Sequence, residues 1–178
     1  MYDDENLYVF LEAFDSKPNL IKKTLARRDS WMEGFSNNSD WMGVTIDSRN
    51  DDYTGYFCGV NASGTIIDVA LAGNDEYDRT WDAVWDVAIA FSDQGWAAEF
   101  KFPFSMFQFD NTENMVWGIS FGRMIHRLQE TVNWPGKEKS VRGIMLPLGV
   151  LSGLSNISNS NQLELVPYIL GGGSENLD

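Results

Sequence analysis

The sequence predicts an all-β protein, an antiparallel β-sandwich with jelly-roll or immunoglobulin-like layers and one short helix. Apolar and polar residues alternate through many short segments, which is the period of a half-buried strand. Turn-forming residues recur about every 8 to 12 positions, as in sandwich domains. The alternation is clearest in residues 85–91 and 96–102, and Ser92-Asp93-Gln94-Gly95 supplies the residues that a hairpin turn between them needs. These two segments are therefore predicted to pair as antiparallel strands.

The same alternation predicts about eight strands along the chain. They are residues 7–14, 41–47, 54–61, 65–71, 85–91, 96–102, 115–125 and 163–170. Trp85, Trp96 and Trp117 share strand faces with aliphatic residues, so we expect all three to be buried. They are predicted to contribute to the core rather than to a binding surface.

Helical spacing is sparse and predicts one short helix at residues 18–25, with Ser16 as its cap and a proline near its start. A further turn is predicted at residues 104–107, where large apolar side chains would close the core. Residues 1–154 are predicted to form one sandwich domain, because a chain of 178 residues with 43% hydrophobic content suits a single core. Residues 155–178 are rich in Ser, Asn and Gly, which predicts a linker or a final edge strand leading out of the domain.

Charge and cysteine content exclude several classes of partner and site. The 13 Lys and Arg residues against 26 Asp and Glu residues give a net charge of -13, which repels nucleic-acid phosphates and anionic lipid headgroups. Neutral sugars and divalent cations suit such a chain. Cys58 is the only cysteine, so an internal disulfide and a cysteine zinc cluster are excluded, and its thiol is expected to be buried and inert.

No basic segment followed by an apolar stretch opens the chain, and no run reaches the roughly 18 apolar residues that span a bilayer, so we expect a soluble domain. The chain begins almost inside a predicted strand, which is expected of a fragment whose signal peptide and first strand lie outside it. A missing strand would leave a sheet edge unpaired. Because unpaired edges pair with other chains, a dimer is one expected state.

Two patterns point to catalysis, and both have a simpler explanation. Gly118-Ile119-Ser120-Phe121-Gly122 fits the nucleophile elbow of hydrolases, which requires a sharp strand-to-helix turn. The alternation of residues 115–125 runs straight through it and predicts a continuous strand instead. Asp78, Asp82, Asp86 and Glu99 lie near tryptophans and are candidates for glycoside hydrolysis, although such coincidences are expected among 26 acidic residues. We expect a domain that is not an enzyme, with a carboxylate-dependent glycosidase as one alternative.

An acidic loop follows the second predicted strand. Asp47, Asp51 and Asp52 offer the hard oxygen ligands that calcium accepts, but their spacing does not fit an EF-hand loop. The alternative is a solvated turn in which Asp and Asn side chains bond their own backbone. No cofactor is expected to be required, and calcium remains a candidate at this loop.

Several tryptophans stand beside loop-type residues and are expected to be partly exposed. They are Trp31, Trp41, Trp81 and Trp134. Exposed indoles stack on the apolar C–H faces of sugar rings while neighbouring polar groups bond the hydroxyls. These four residues therefore supply the candidates for a sugar platform.

The order of short strands resembles family 9 carbohydrate-binding modules over residues 2–154. The resemblance rests on Tyr-Asp-Asp-Glu-Asn-Leu-Tyr-Val at residues 2–9, Ser-Asp-Trp-Met-Gly-Val-Thr-Ile-Asp at 39–47, and the runs that begin at Gly95 and Trp117. It implies a β-sandwich that binds sugars without catalysis. The family's opening strand is absent here. Three glycines stand where the resemblance implies polar sugar ligands, namely Gly43, Gly59 and Gly122.

A closer resemblance is to an uncharacterised bacterial family in which such a module precedes an outer-membrane β-barrel. It rests on Ser-Phe-Gly-Arg-Met-Ile at residues 120–125, Asn-Trp-Pro at 133–135 and Leu-Glu-Leu-Val-Pro-Tyr at 163–168. This resemblance implies a location in the bacterial cell envelope, either periplasmic or extracellular, with the parent protein anchored through its barrel.

These observations predict a non-catalytic domain that binds an oligosaccharide or polysaccharide. Trp134 is the predicted stacking platform, with Trp31 or Trp81 as a second wall. The predicted hydrogen-bonding residues are Arg123, Arg127 and Glu130. The alternative to sugar binding is a protein-interaction domain that docks an outer-membrane protein.

Overall fold

The computed structural model describes residues 1–30, 35, 37–73, 76–112, 114–136 and 148–157. Within these residues the chain forms two antiparallel sheets and no α-helix, so the predicted all-β sandwich is confirmed. The strands are β1 (Asn6–Phe14), β2 (Trp41–Asp47), β3 (Thr54–Asn61), β4 (Ile66–Ala72), β5 (Glu76–Asp78), β6 (Asp86–Ser92), β7 (Gly95–Pro103), β8 (Met115–Ile125), β9 (Glu130–Trp134) and β10 (Gly149–Leu154). Short 3-10 turns occupy Pro18–Leu20, Phe104–Met106 and His126–Leu128.

The smaller sheet has three strands in the order β1-β7-β6, and the larger has seven. In the larger sheet the order is β10-β8-β2-β3-β4-β5, and β9 also pairs with β8. Two strands pair with the same edge of β8: β10 with its first half and β9 with its second half. This arrangement places the end of β9 beside the start of β10.

The core lies between the two sheets and confirms the alternation seen in the sequence. Trp96, Phe100 and Phe102 of β7 point inward and are almost fully buried. Trp85 and Trp117 are also buried, as predicted. The predicted turn is confirmed at Phe104–Met106. The side chains of Phe104 and Met106 are both buried. The apolar period of two therefore identified the inward face of β7, whereas β2 and β3 are buried on both faces.

The predicted helix at residues 18–25 is wrong. Only Pro18–Leu20 forms a 3-10 turn, and Ser16 makes no cap. Beyond it the chain is held by residues that directly precede β2: Lys22 N donates to Asp40 Oδ1 at 3.0 Å, and Thr24 N donates to Ser39 Oγ at 3.3 Å. These long-range hydrogen bonds hold the backbone out of a helix, so tertiary contacts overrode the local spacing.

The sequence analysis missed three strands, β5, β9 and β10, which are short and lie at the sides of the larger sheet. The predicted strand at residues 163–170 lies outside the described residues. The boundary proposed near residue 154 coincides with the end of β10, but the linker at 155–178 stays a prediction. Among the helices of the described residues, none is long and apolar enough to cross a membrane.

Candidate functional site

The candidate site is built on Trp134, the last residue of β9. Its indole stacks on Phe121 of β8, with ring centroids 5.6 Å apart and planes at 24°. Gly149 of β10 leaves space for this ring, because a Cβ at that position would collide with it. The side chain is nevertheless 52% exposed. Because Phe121 covers one face of the indole, the opposite face is the one that a ligand would contact.

A groove of about 180 Å³ opens beside Trp134, between β1 of the smaller sheet and β9 of the larger. Its floor is apolar and includes Leu11, Met42 and Phe121, while Glu12 and Asn133 add polar groups. The volume is below the 300 to 1,000 Å³ typical of pockets that enclose a small molecule. The groove therefore suits a ligand that lies partly in solvent, such as one ring of a longer chain.

The backbone of β1 adds further hydrogen-bonding groups to this groove. Tyr8 N donates to Met1 O at 2.8 Å, so the even-numbered residues of β1 direct their backbone groups away from β7. Among these residues, Phe14 O accepts a hydrogen bond from Arg123 Nη1 at 2.7 Å. The N–H and C=O of Glu12 have no backbone partner among the described residues. They face the side on which the groove lies.

Arg123 and Arg127, both predicted to bond a sugar, are engaged by a carboxylate that the sequence analysis did not single out. Arg127 Nη1 lies 2.6 Å from Asp15 Oδ2, and Arg123 Nη2 lies 3.4 Å from the same oxygen. The Asp15 side chain has no solvent exposure. Its hydrogen bond with Arg127 holds the pKa of the Asp15 carboxyl below its ordinary value and raises the pKa of the Arg127 guanidinium. Arg123, which lines the groove, is therefore held in place by Asp15, and Arg127 bonds the same carboxylate from outside the groove.

The other predicted sugar-binding residues lie in different places. Glu130 begins β9 and lies on the same face as Trp134, exposed to solvent. Trp81 contacts Tyr56 of β3, with ring centroids 4.8 Å apart, in a separate depression of about 230 Å³. Because β2 and β8 separate β3 from β9, the structure does not bring Trp81 to Trp134. Trp31 lies outside the described residues.

The face of the larger sheet that points away from the core is filled by rings at two of the three glycines. A Cβ on Gly43 would lie 2.5 Å from ring carbons of Phe57, and one on Gly59 would lie 2.8 Å from Phe35. These rings belong to a second apolar cluster made of Phe35, Phe57, Ile67, Val69 and Leu71. Two of the three positions at which the resemblance implies polar sugar ligands therefore carry rings of this cluster, and a Cβ on Gly122 would lie 3.1 Å from Asn133 Oδ1 and 3.2 Å from the Trp41 ring.

The acidic loop after β2 behaves as a hydrogen-bonded turn. Asp47 accepts hydrogen bonds from the backbone of Arg49 at 3.1 Å and Asp52 at 2.9 Å. Asp51 accepts from the backbone N–H and the hydroxyl of Thr54 at 2.6 and 2.8 Å. Asp47, Asp51 and Asp52 do not form a metal-type cluster within the part of the chain that the structure describes. The bonds from Asp side chains to the turn's own backbone match the turn alternative, although Asp47 itself is buried rather than solvated. Calcium at this loop stays a prediction.

The carboxylates that do come together are Asp29, Asp68 and Asp82, whose oxygens lie within 4.8 Å of one another. Arg28 already occupies this group: its Nη2 lies 2.9 Å from Asp68 and 2.7 Å from Asp82, and its Nε lies 3.3 Å from Asp29. Burial raises the pKa of the Asp29 carboxyl. The donor set is one that a divalent cation accepts, but the guanidinium supplies the compensating charge.

The hydrolase-like motif lies within a continuous strand. Ser120 is in the middle of β8, opposite Thr45 of β2, and not on a strand-to-helix turn. The geometry of a nucleophile elbow is therefore absent at this motif. Cys58 is buried as predicted, and burial raises the pKa of its thiol well above the ordinary value.

The sequence analysis missed Phe121 and Asp15 as residues that shape the site. Phe121 shares the face of Trp117 in the alternation of β8, which identified it as inward-facing but not as the support of Trp134. Asp15 stands directly after β1, where a single acidic residue carries no signal of an ion pair with a residue 112 positions away.

Comparison with known proteins gives similarity in fold. No protein-family model matches the chain, and no curated protein matches it in sequence. A family 9 carbohydrate-binding module from Caldicellulosiruptor kristjanssonii, solved in complex with glucose, has a TM-score of 0.58 at 16% identity, covering 91% of this chain and 78% of that one. A candidate carbohydrate-binding protein from Bacteroides uniformis has a TM-score of 0.56 at 14% identity, covering 83% of this chain and 71% of that one. The fold is therefore that of family 9 carbohydrate-binding modules and similar proteins.

Proposed function

We propose that this domain binds carbohydrate without catalysis and holds a sugar ring against Trp134. One observation carries the proposal: an indole supported from behind by Phe121 is about half exposed at an open groove. Sugar rings present apolar C–H faces that stack on such indoles. The similarity in fold to a module solved with glucose supports the same function.

The polar groups near the platform would bond the sugar hydroxyls. Glu12 offers the backbone N–H and C=O that β1 directs toward the groove. Asn133 also lines the groove, but its amide oxygen lies over Gly122, on the opposite face of the sheet from Trp134. Arg123 lines the groove, but its guanidinium bonds Phe14 O and Asp15. We therefore give Arg123 and Arg127 the role of positioning residues, and Glu130 the role of an outer contact on the same face.

The ligand class follows from charge and shape. A net charge of -13 disfavours anionic polysaccharides and leaves neutral glycans as the better partners. The groove is open and shallow, so a ring in the middle of an oligosaccharide fits as well as a terminal one. We propose no required cofactor. If calcium binds, the group formed by Asp29, Asp68 and Asp82 is the better candidate than the loop at Asp47.

The test is binding of neutral glycans by the wild-type domain. A glycan array run with and without calcium gives the ligand class, and titration of glucose and its β-1,4-linked oligomers by NMR gives the affected residues. We expect chemical-shift changes at the Trp134 indole N–H and in the backbone of β1. Absence of binding to every neutral glycan on the array would contradict the proposal.

A second candidate function is docking to a protein of the bacterial cell envelope, the location that the sequence resemblance implies. One observation favours it: Phe10 and Phe14 are 63% and 61% exposed on the outer face of β1. Two large exposed apolar side chains on one face of a strand are a feature of interaction surfaces. This function predicts no glycan signal, together with loss of partner binding on Phe10→Ser substitution.

A further inference from the structure

The two outer edges of the three-stranded sheet differ in how many of their backbone N–H and C=O groups form hydrogen bonds. At the β1 edge, Tyr2 forms a β-bridge with Leu7 and Tyr8 N donates to Met1 O. The guanidinium of Arg123 donates to the carbonyl oxygen of Phe14. At the opposite edge, β6 makes backbone hydrogen bonds only with β7 among the described residues. Within the part of the chain that the structure describes, the β6 edge therefore has no further strand beside it.

The backbone groups that are free at this edge follow from the alternation of antiparallel ladders. Since Tyr8 directs its groups away from β7, the odd-numbered residues of β1 bond to the even-numbered residues of β7. The odd-numbered residues of β7 then bond to the even-numbered residues of β6. Val87, Ile89 and Phe91 remain, and each directs one N–H and one C=O outward.

The side chains of β6 are apolar and incompletely buried. Its sequence is Asp-Val-Ala-Ile-Ala-Phe-Ser, and no residue of the strand is fully buried. Phe91 is 42% exposed, whereas Trp96, its neighbour on β7, is buried. The pairing of β6 with β7 contains no bulge, and β6 carries no proline or lysine, which are the usual devices that protect an edge from pairing.

We propose that β6 pairs antiparallel with β6 of a second copy of this chain, about a twofold axis at Ile89. In this register Ile89 lies opposite itself, and Val87 lies opposite Phe91 of the second copy. The three outward-facing residues of each chain then form three hydrogen-bonded pairs, so every free N–H and C=O finds a partner. The two small sheets join into one sheet of six strands.

The side chains in this register are mutually compatible. A β-branched residue faces an aromatic one at Val87 and Phe91, which is a favourable cross-strand pair. Asp86 faces Ser92, so no like charges oppose each other within the strand pair. Ala88 faces Ala90 on the outer side of the sheet, where both are small and exposed. A second copy fits this edge because the strand is complementary to itself.

The net charge of -13 on each chain opposes this association at long range. Salt screens charges farther apart than about 8 to 10 Å at physiological strength. Dimer formation is therefore expected to strengthen with added salt, which is the opposite of an interface held by ion pairs. This behaviour is independent of carbohydrate binding, because β6 and the Trp134 groove lie on different strands.

The test uses two double variants at the exposed alanines. Ala88→Lys with Ala90→Lys places like charges opposite each other across the proposed axis, and Ala88→Lys with Ala90→Glu places opposite charges there. Sedimentation of the wild type in added salt should give twice the monomer mass of 20.1 kDa. The first double variant should sediment as a monomer, and the second should recover the dimer. In low salt, where charge repulsion disfavours the dimer, both should melt at the wild-type temperature, because these side chains are outside the core.

Cross-linking checks the register. Ile89→Cys should form a disulfide-linked dimer under mild oxidation, because residues directly opposite in a ladder lie about 5.5 Å apart at Cα, within disulfide reach. Val84→Cys, at an exposed position outside β6, is the control and should remain monomeric. A wild type that stays monomeric at roughly millimolar concentration in high salt overturns the proposal. Equal masses for the two double variants, or equal cross-linking at both cysteines, also overturn it.

Discussion

The Trp134→Ala substitution tests the central claim about the site, and the structure sets the size of its two effects. The first effect is on stability. A tryptophan side chain has up to about 250 Å² of surface. With 52% of it exposed, roughly 120 Å² is buried against Phe121 and Gly149, and at about 25 cal/mol per Å² its loss costs at most about 3 kcal/mol. The variant should therefore fold with a lowered melting temperature.

The second effect is on binding. Of the roughly 130 Å² that Trp134 exposes, a stacked sugar ring covers about half. Burial of about 65 Å² contributes about 1.6 kcal/mol, which corresponds to a factor of about 15 in Kd. This loss is expected at 20 °C, where a folded variant can be verified by its circular dichroism spectrum.

The assay is NMR or calorimetric titration of the glycan that the array identifies. Trp81→Ala is the matched control, because Trp81 is another partly exposed indole and lies in a separate depression beside Tyr56. We expect Trp81→Ala to retain the wild-type Kd. Undiminished affinity in Trp134→Ala, or an equal loss in both variants, would refute the assignment of Trp134 as the platform.

Three further predictions concern residues around the site and in the core. Gly149→Ala should displace the Trp134 ring, weaken glycan binding several-fold and cost about 1 to 3 kcal/mol of stability, as measured by titration and urea unfolding. Asp15→Asn should cost about 2 kcal/mol at pH 7. Because bonding to Arg127 lowers the folded-state pKa of Asp15, this contribution is present above the ordinary carboxyl pKa near 4 and is lost as the pH falls through the lowered value, so the two proteins should converge in urea unfolding at acidic pH. Cys58 should resist thiol reagents at pH 8 until the protein unfolds, and rapid labelling of the native protein would contradict its burial.

Residue spacing gave the wrong secondary structure where contacts with other parts of the chain decided the backbone conformation. Residues 18–25 carry a helical spacing, yet beyond a single 3-10 turn the backbone bonds Asp40 and Ser39. Likewise, the strands β5, β9 and β10 are too short for a clear alternation, and pairing with longer neighbours defines them. For residues 18–25 and for β10 the hydrogen-bond partners are remote in sequence, whereas β5 and β9 pair with the strands directly before them.

The sequence by itself determined the long strands, the inward faces of Trp85, Trp96 and Trp117, and the interpretation of Ser120 as a strand residue. Burial of one strand face imposes an alternation of period two that is visible locally. Only the tertiary structure decided that Trp134 rests on Phe121 while Trp81 lies across the sheet, and that Arg127 is engaged by a distant aspartate. The contact of Trp134 depends on the register of β9 with β8, and the other two contacts join segments far apart in the chain, neither of which a local period of two specifies.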